Sequence, residues 1–262
     1  MATDRRHVVT GKAVQAYATC PMWYAYRYIY EVPDPPLDVW TLWLRAVRRT
    51  CLVIAREQME GKMPTLDQAF MLWEMHTRKT VLASKPKRDL AGRHCVHWFH
   101  EWLLGDTPFQ VKGIGVPVTV PVVIEDHRIV DVEITADLLG TFPGYKQPHA
   151  VLLSPPKLGA LHHLLVAGGE VDFAVYNVER GTIAVIDKNP TANPAGVIEQ
   201  TLRGMIRKIV WPHRDARCRL CPYNDVCTPD DAQRYLLKDE SKRKRVQERI
   251  ANYRRKRAGL LR

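Results

Sequence analysis

An α/β fold, a central mixed sheet with helices on both sides, follows from three features of the sequence. Apolar residues recur at helical spacing over roughly the first hundred positions. The period drops to two near residue 115, and short apolar strands then alternate with helical segments to about residue 210. At 262 residues the chain can bury a good core, as one large domain or two small ones.

Thr10 is placed to cap a first helix running through Val14, Tyr17 and Cys20 into the aromatic run Trp23-Tyr24-Ala25-Tyr26-Arg27-Tyr28. Such a run can stack bases, but aromatic helix faces usually pack as core. Pro33, Pro35 and Pro36 end this helix by removing donors and fixing φ. Helical spacing resumes over 39–58, again from Thr65 to about 82, where Thr65 and Gln68 have capping-box spacing, and again over 89–104. The last segment carries His94, His97 and His100 beside Cys95 and Glu101. No zinc-hydrolase motif occurs there in the right order, and Trp98 and Trp102 mark it as an amphipathic packing helix.

Val116, Val118, Val120, Val122 and Ile124, then Val130, Val132, Ile134, Ala136 and Leu138, alternate as the two strands of a hairpin turning at 125–128. The second strand's opposite face carries Asp131, Glu133, Thr135 and Asp137. A short strand over 150–153, a helix over 158–166, strands over 173–178 and 183–187 and a helix over 195–210 complete the series.

Charge is unevenly placed. Of the formal net +11, the segment from residue 231 onward supplies +8, with 12 Lys/Arg against 4 Asp/Glu. A cationic segment of this density suits a polyanion such as nucleic acid or is simply a solvated helix face. No apolar run spans a bilayer. Met1-Ala2-Thr3-Asp4-Arg5-Arg6 lacks the apolar stretch of a secretory signal, so an intracellular location, cytoplasmic or nucleoid-associated, is expected. No phosphate-binding loop of Walker type is present, which argues against a built-in ATP motor.

Cys218, Cys221 and Cys227 fall within ten residues in a polar, turn-forming stretch. In a reducing compartment such clusters bind metal more often than they pair as disulfides. Two thiolates at the Cys-x2-Cys spacing can wrap one metal centre, and Cys20 is the best candidate for a fourth ligand. A centre of this kind would tie the N-terminal helix to the C-terminal segment. Spacing alone allows zinc or an iron–sulfur cluster. Cys51 and Cys95 lie on apolar helical segments and read as ordinary buried thiols.

The paired ends, Tyr17-x2-Cys20-Pro21-x2-Tyr24-x3-Tyr28 and Cys218-x2-Cys221-x5-Cys227, together with the order of elements between them, resemble the RecB-like, iron–sulfur branch of the PD-(D/E)XK nucleases. That branch includes the AddB nuclease domain and the exonuclease associated with CRISPR spacer acquisition. The likeness covers about residues 8–228. It implies a restriction-endonuclease-like core and a 4Fe–4S cluster on Cys20, Cys218, Cys221 and Cys227. It also implies one nuclease-like domain over 1–230, mainly helical over 1–108, with the sheet over 109–190 and a helix plus the cysteines over 191–230. A basic helical tail over 231–262 follows.

Such nucleases hold Mg²⁺ or Mn²⁺ through carboxylates and use a lysine to position the attacking water. By the resemblance, Asp137 matches the first carboxylate and Lys157 the lysine. The second carboxylate position, however, is Pro155, the usual His falls at Arg48 or Arg49, and His162 or His163 replaces a Gln. Same-face neighbours on a strand lie about 7 Å apart, so Glu133 is too far from Asp137 to substitute unless the strand bends. The expectation is a nuclease scaffold with a degenerate catalytic centre that binds nucleic acid, DNA before RNA. The alternatives are an active metal-dependent exonuclease and an assembly subunit. For binding, the expected contacts are Lys242, Arg243, Lys244, Arg245, Arg254, Arg255, Lys256 and Arg257. The Val246/Ile250/Tyr253 stripe suggests a protein partner for the tail helix.

Overall fold

The computed structural model describes residues 7–33, 38–78, 85–106, 108–124, 128–153, 160–167, 171–186, 194–207 and 240–257. It also describes Ile209, Cys218, Cys221, Tyr223, Asn224, Val226 and Cys227. Lys157, Pro155 and the turn over 125–127 lie outside these residues, as do the side chains of His163, Lys242 and Arg257.

Six strands form one mixed sheet: β1 (His7–Thr10), β2 (Gln110–Ile124), β3 (Arg128–Thr141), β4 (His149–Leu153), β5 (Asp172–Asn177) and β6 (Thr182–Ile186). β2 and β3 make the expected hairpin, which begins at Gln110, earlier than the clean alternation shows. β3 is the hub. β2 occupies one of its edges along its whole length, so β1 and β4 must share the other. β1 pairs in parallel with residues 130–133 and β4 antiparallel with 138–140, while β5 and β6 extend the sheet beyond β4.

Both faces of the sheet are covered. On one, α1 (Gly11–Thr19), α6 (Ala160–Ala167) and α7 (Pro194–Ile206) bury Val14, Tyr17, Leu164, Ile198 and Leu202 against Val120, Val132, Ile134, Ala136, Leu152 and Phe173. On the other, α3 (Val39–Met59), α4 (Leu66–Thr77) and α5 (Pro86–Leu104) pack Val47, Cys51, Ile54, Trp73, Val96 and Phe99 against Leu138, Val151, Leu153, Ala174 and Tyr176. All five residues of β4 are buried, as befits a strand with helices on both sides. The α/β expectation holds at this level, and Cys51 and Cys95 are buried core thiols.

Local signals set most helix starts. Thr10 accepts a hydrogen bond from Ala13 N–H at 3.2 Å. Thr65 and Gln68 form a full capping box. The first helix differs from expectation, because it is not continuous through Cys20. Cys20 is extended (φ −163°, ψ 118°), and Pro21 opens a separate short helix, α2 (Pro21–Tyr24), which runs into a turn of π-helix over Ala25–Ile29. The proline ring disfavours α geometry at the preceding residue, so the break falls on the cysteine. β1 was not anticipated: four residues carry too little pattern, and its partner is more than a hundred residues away.

A third apolar cluster joins three distant segments. Met22, Tyr26, Tyr30 and Val32 meet Tyr223 and Val226 of the cysteine segment and Val246 and Ile250 of α8 (Glu240–Arg257). The expected stripe on the tail is therefore covered by this chain itself at Val246 and Ile250, whereas Tyr253 is 42% exposed.

Candidate functional site

Cys20, at the break between α1 and α2, lies near the cysteine segment. Cys20 and Cys221 pack against the same apolar cluster, and Cys221 N–H donates to the Cys218 carbonyl at 3.1 Å. Burial pushes the Cys221 thiol up to about 11, and the Cys20, Cys227 and Cys218 thiols act on it in the same direction. None of the four is in a disulfide; Cys227 is exposed and the others are half-buried. Among the described residues, no three His, Cys, Asp or Glu side chains stand at metal-binding geometry. Tyr26 and Tyr223 meet here with ring centroids 5.1 Å apart and planes tilted by 35°, and the Tyr223 hydroxyl donates to Val32 O at 3.1 Å. Nearby, Tyr17 OH donates to Ile209 O at 2.5 Å and packs where Gly204 leaves room, since a Cβ there would collide with that hydroxyl oxygen.

Asp137 lies on β3 within residues 134–137, the stretch between the pairings with β1 and with β4. α1 begins immediately after Thr10, the last residue of β1 to pair, and so starts beside this stretch. Alternation lapses here as well. Ala136 belongs to the first core cluster, Leu138 to the second, and Leu139 packs against the first again. Asp137 is 5% exposed, while Asp131 and Glu133, earlier on the strand, are only half-buried. Its two oxygens are both engaged. Arg48 of α3 donates to Oδ1 from Nε at 2.7 Å and also from Nη2, and Leu153 N–H at the end of β4 donates to Oδ2 at 2.8 Å. Burial lifts the Asp137 carboxyl above the usual carboxylate range. The opposing pull of Arg48, the Leu153 amide and Lys12 is smaller. Among the described residues, the charged side chains acting on Asp137 are thus cations.

The sequence left Arg48 and Arg49 as equal occupants of the histidine position. Of the two, the structure brings Arg48 to Asp137, while Arg49 is exposed. His162 is exposed too. On α5, His100 is buried against Pro64 O at 2.7 Å, and His97 stands 3.7 Å from Glu101, in keeping with a packing helix.

Along α8 the cations divide by face. Arg243 lies 3.4 Å from Glu31, and Arg254 donates to Pro33 O and sits 5.7 Å from the Tyr223 ring centroid, so both hold the helix down. Lys244, Arg245, Arg255 and Lys256 are exposed on the other face, while Arg249 reaches back to donate to Val226 O.

Sheet and helices together define an α/β protein with a mixed sheet flanked on both faces. No helix among the described residues is long and apolar enough to cross a membrane. No family model and no curated protein sequence matches the chain. Among solved structures it is similar to the crystal structure of SSO0001, with 12% identity and a TM-score of 0.33 over 70% of this chain and 84% of that one.

Proposed function

We propose that this chain is a nucleic-acid-binding protein on a PD-(D/E)XK nuclease-type scaffold of the RecB-like, iron–sulfur kind, with its catalytic centre silenced. The occupied carboxylate of Asp137 carries the reading. Mg²⁺ and Mn²⁺ are held through carboxylate oxygens, and here Arg48 donates twice to one oxygen of Asp137 while a backbone amide donates to the other. A metal would have to bind beside the Arg48 cation, with Pro155 in place of the second carboxylate. Lys157 then has no metal-bound water to position.

Cys20, Cys218, Cys221 and Cys227 would hold a 4Fe–4S cluster. Cys20, Cys218 and Cys227 all act electrostatically on Cys221, a grouping that suits such a cluster and suits zinc as the second choice. When bound, the group supplies a covalent cross-link between the N-terminal and C-terminal segments. The outer face of α8 would meet phosphates through charge, with DNA preferred to RNA and little dependence on sequence. A protein partner for the tail has less to recommend it, because Val246 and Ile250 are already covered from within.

Incubation with end-labelled single- and double-stranded DNA in the presence of Mn²⁺ tests the reading. The expected result is salt-sensitive binding with every labelled strand left at full length. Shortened products that vanish in Asp137→Ala would establish a working exonuclease instead.

A further inference from the structure

A cavity of about 240 Å³ lies between the start of α3, α5 and the β5–β6 turn, lined by Trp40, Trp43, Arg88, His94, Trp98 and Glu179 among others. Its two outer indoles are exposed, Trp40 by 43% and Trp98 by 40%, yet both are fixed from behind. Trp43 Nε1 donates to Arg88 O at 2.9 Å, and Trp40 stacks on Trp43 with centroids 4.8 Å apart and planes at 21°. Trp98 rests on Gly181 (φ +63°), where a Cβ would fall 2.6 Å from the Trp98 Cβ. The same turn is locked by Gly181 N–H on Asn177 O at 2.9 Å and by Glu179 N–H on Asn177 Oδ1 at 3.0 Å, which places Glu179 at the cavity.

The ring of Trp40 already bears Trp43 and the Arg88 guanidinium, so the fixed, exposed indole of Trp98 is the stacking surface, its ordering cost already met by the fold. The volume lies below the range of about 300–1,000 Å³ typical of drug-sized ligands, so one heterocycle fits and a peptide segment does not. A quaternary ammonium is disfavoured, because the Arg88 guanidinium already stands 5.5 Å from the Trp40 ring centroid and would repel a second cation. A neutral base bearing phosphate has the opposite preference. The Glu179 carboxylate accepts N–H donors only, and guanine presents two adjacent ones on its pairing edge.

The geometry points to a binding pocket for a single purine base, guanine before adenine, stacked on Trp98 and held at its edge by Glu179, with Arg88 beside Trp40 to meet its phosphate. The pocket does not depend on the nucleic-acid reading, which would make its occupant an unstacked base of a single strand.

Titration of the full chain with GMP, AMP, CMP and UMP, and with a short guanine-containing DNA strand, read by tryptophan fluorescence, tests this. Saturable quenching strongest for GMP is expected, with affinity falling about 10-fold in Trp98→Ala. Glu179→Gln should bind AMP as before and lose the preference for GMP. No saturable quenching by any nucleotide or strand would overturn the pocket, as would affinities unchanged in both variants. Strand binding that depends on α8 but ignores both substitutions would sink the pocket and leave the nucleic-acid reading standing. Mononucleotide binding without strand binding would do the reverse.

Discussion

Alanine at Lys244, Arg245, Arg255 and Lys256 together is expected to weaken DNA binding about 100-fold near 0.1 M salt and to reduce the slope of log K against log salt by about three to four. Each of these side chains is exposed. For every phosphate that goes unneutralised in the variant, roughly one counterion stays on the DNA, and the salt dependence flattens accordingly. The inner cations are excluded from the variant for a structural reason. Arg243 and Arg254 hold α8 to Glu31 and Pro33, and Arg249 donates to Val226 O at 3.2 Å. Truncating from residue 231 would be a poor substitute, because it would also uncover Tyr26, Tyr223 and Val226. Anisotropy titrations across a salt series decide the matter: a slope that stays unchanged in the four-site variant removes α8 as the phosphate-binding face.

Tyr223→Ala should be the most damaging single substitution outside the sheet, costing about 3–5 kcal/mol of stability. The ring is fully buried where the three distant segments meet, packed at a tilt against Tyr26 and lying beneath Arg254. Truncation opens a cavity there and removes the donor to Val32 O. Tyr223→Phe, which keeps the ring, should cost about 1 kcal/mol. Urea titrations of the two variants separate packing from hydrogen bonding. If Tyr223→Ala is no worse than Tyr223→Phe, the third cluster does not hold the ends together.

Much of the fold is legible because its signals are local. The Thr65/Gln68 box, the Thr10 cap and the period-two hairpin each depend on residues within a few positions of one another. What escaped depends on partners distant in the chain. β1 is a strand because 130–133 lies beside it. The lapse of alternation near Asp137 goes with contacts from Arg48 on α3 and Leu153 on β4. The break at Cys20 did have a local signal, since a residue before proline is pushed toward extended backbone, but the helical spacing of the aromatic run outweighed it. Trp40 and Trp98 are 58 positions apart, and nothing in either neighbourhood says that the two indoles share a cavity. The tail stripe was visible, but its occupant was not: Val246 and Ile250 meet aromatic residues more than two hundred positions upstream.

One metal centre shared by Cys20, Cys218, Cys221 and Cys227 is the feature on which the proposed function most depends. The direct measurement is the iron and zinc content, with the visible absorption spectrum, of protein purified without oxygen, set beside Cys20→Ser prepared in the same way. A 4Fe–4S cluster predicts brown protein carrying about four irons per chain, and a colourless, iron-poor variant. Wild-type protein free of both iron and zinc, or a metal content that Cys20→Ser leaves unchanged, would contradict it.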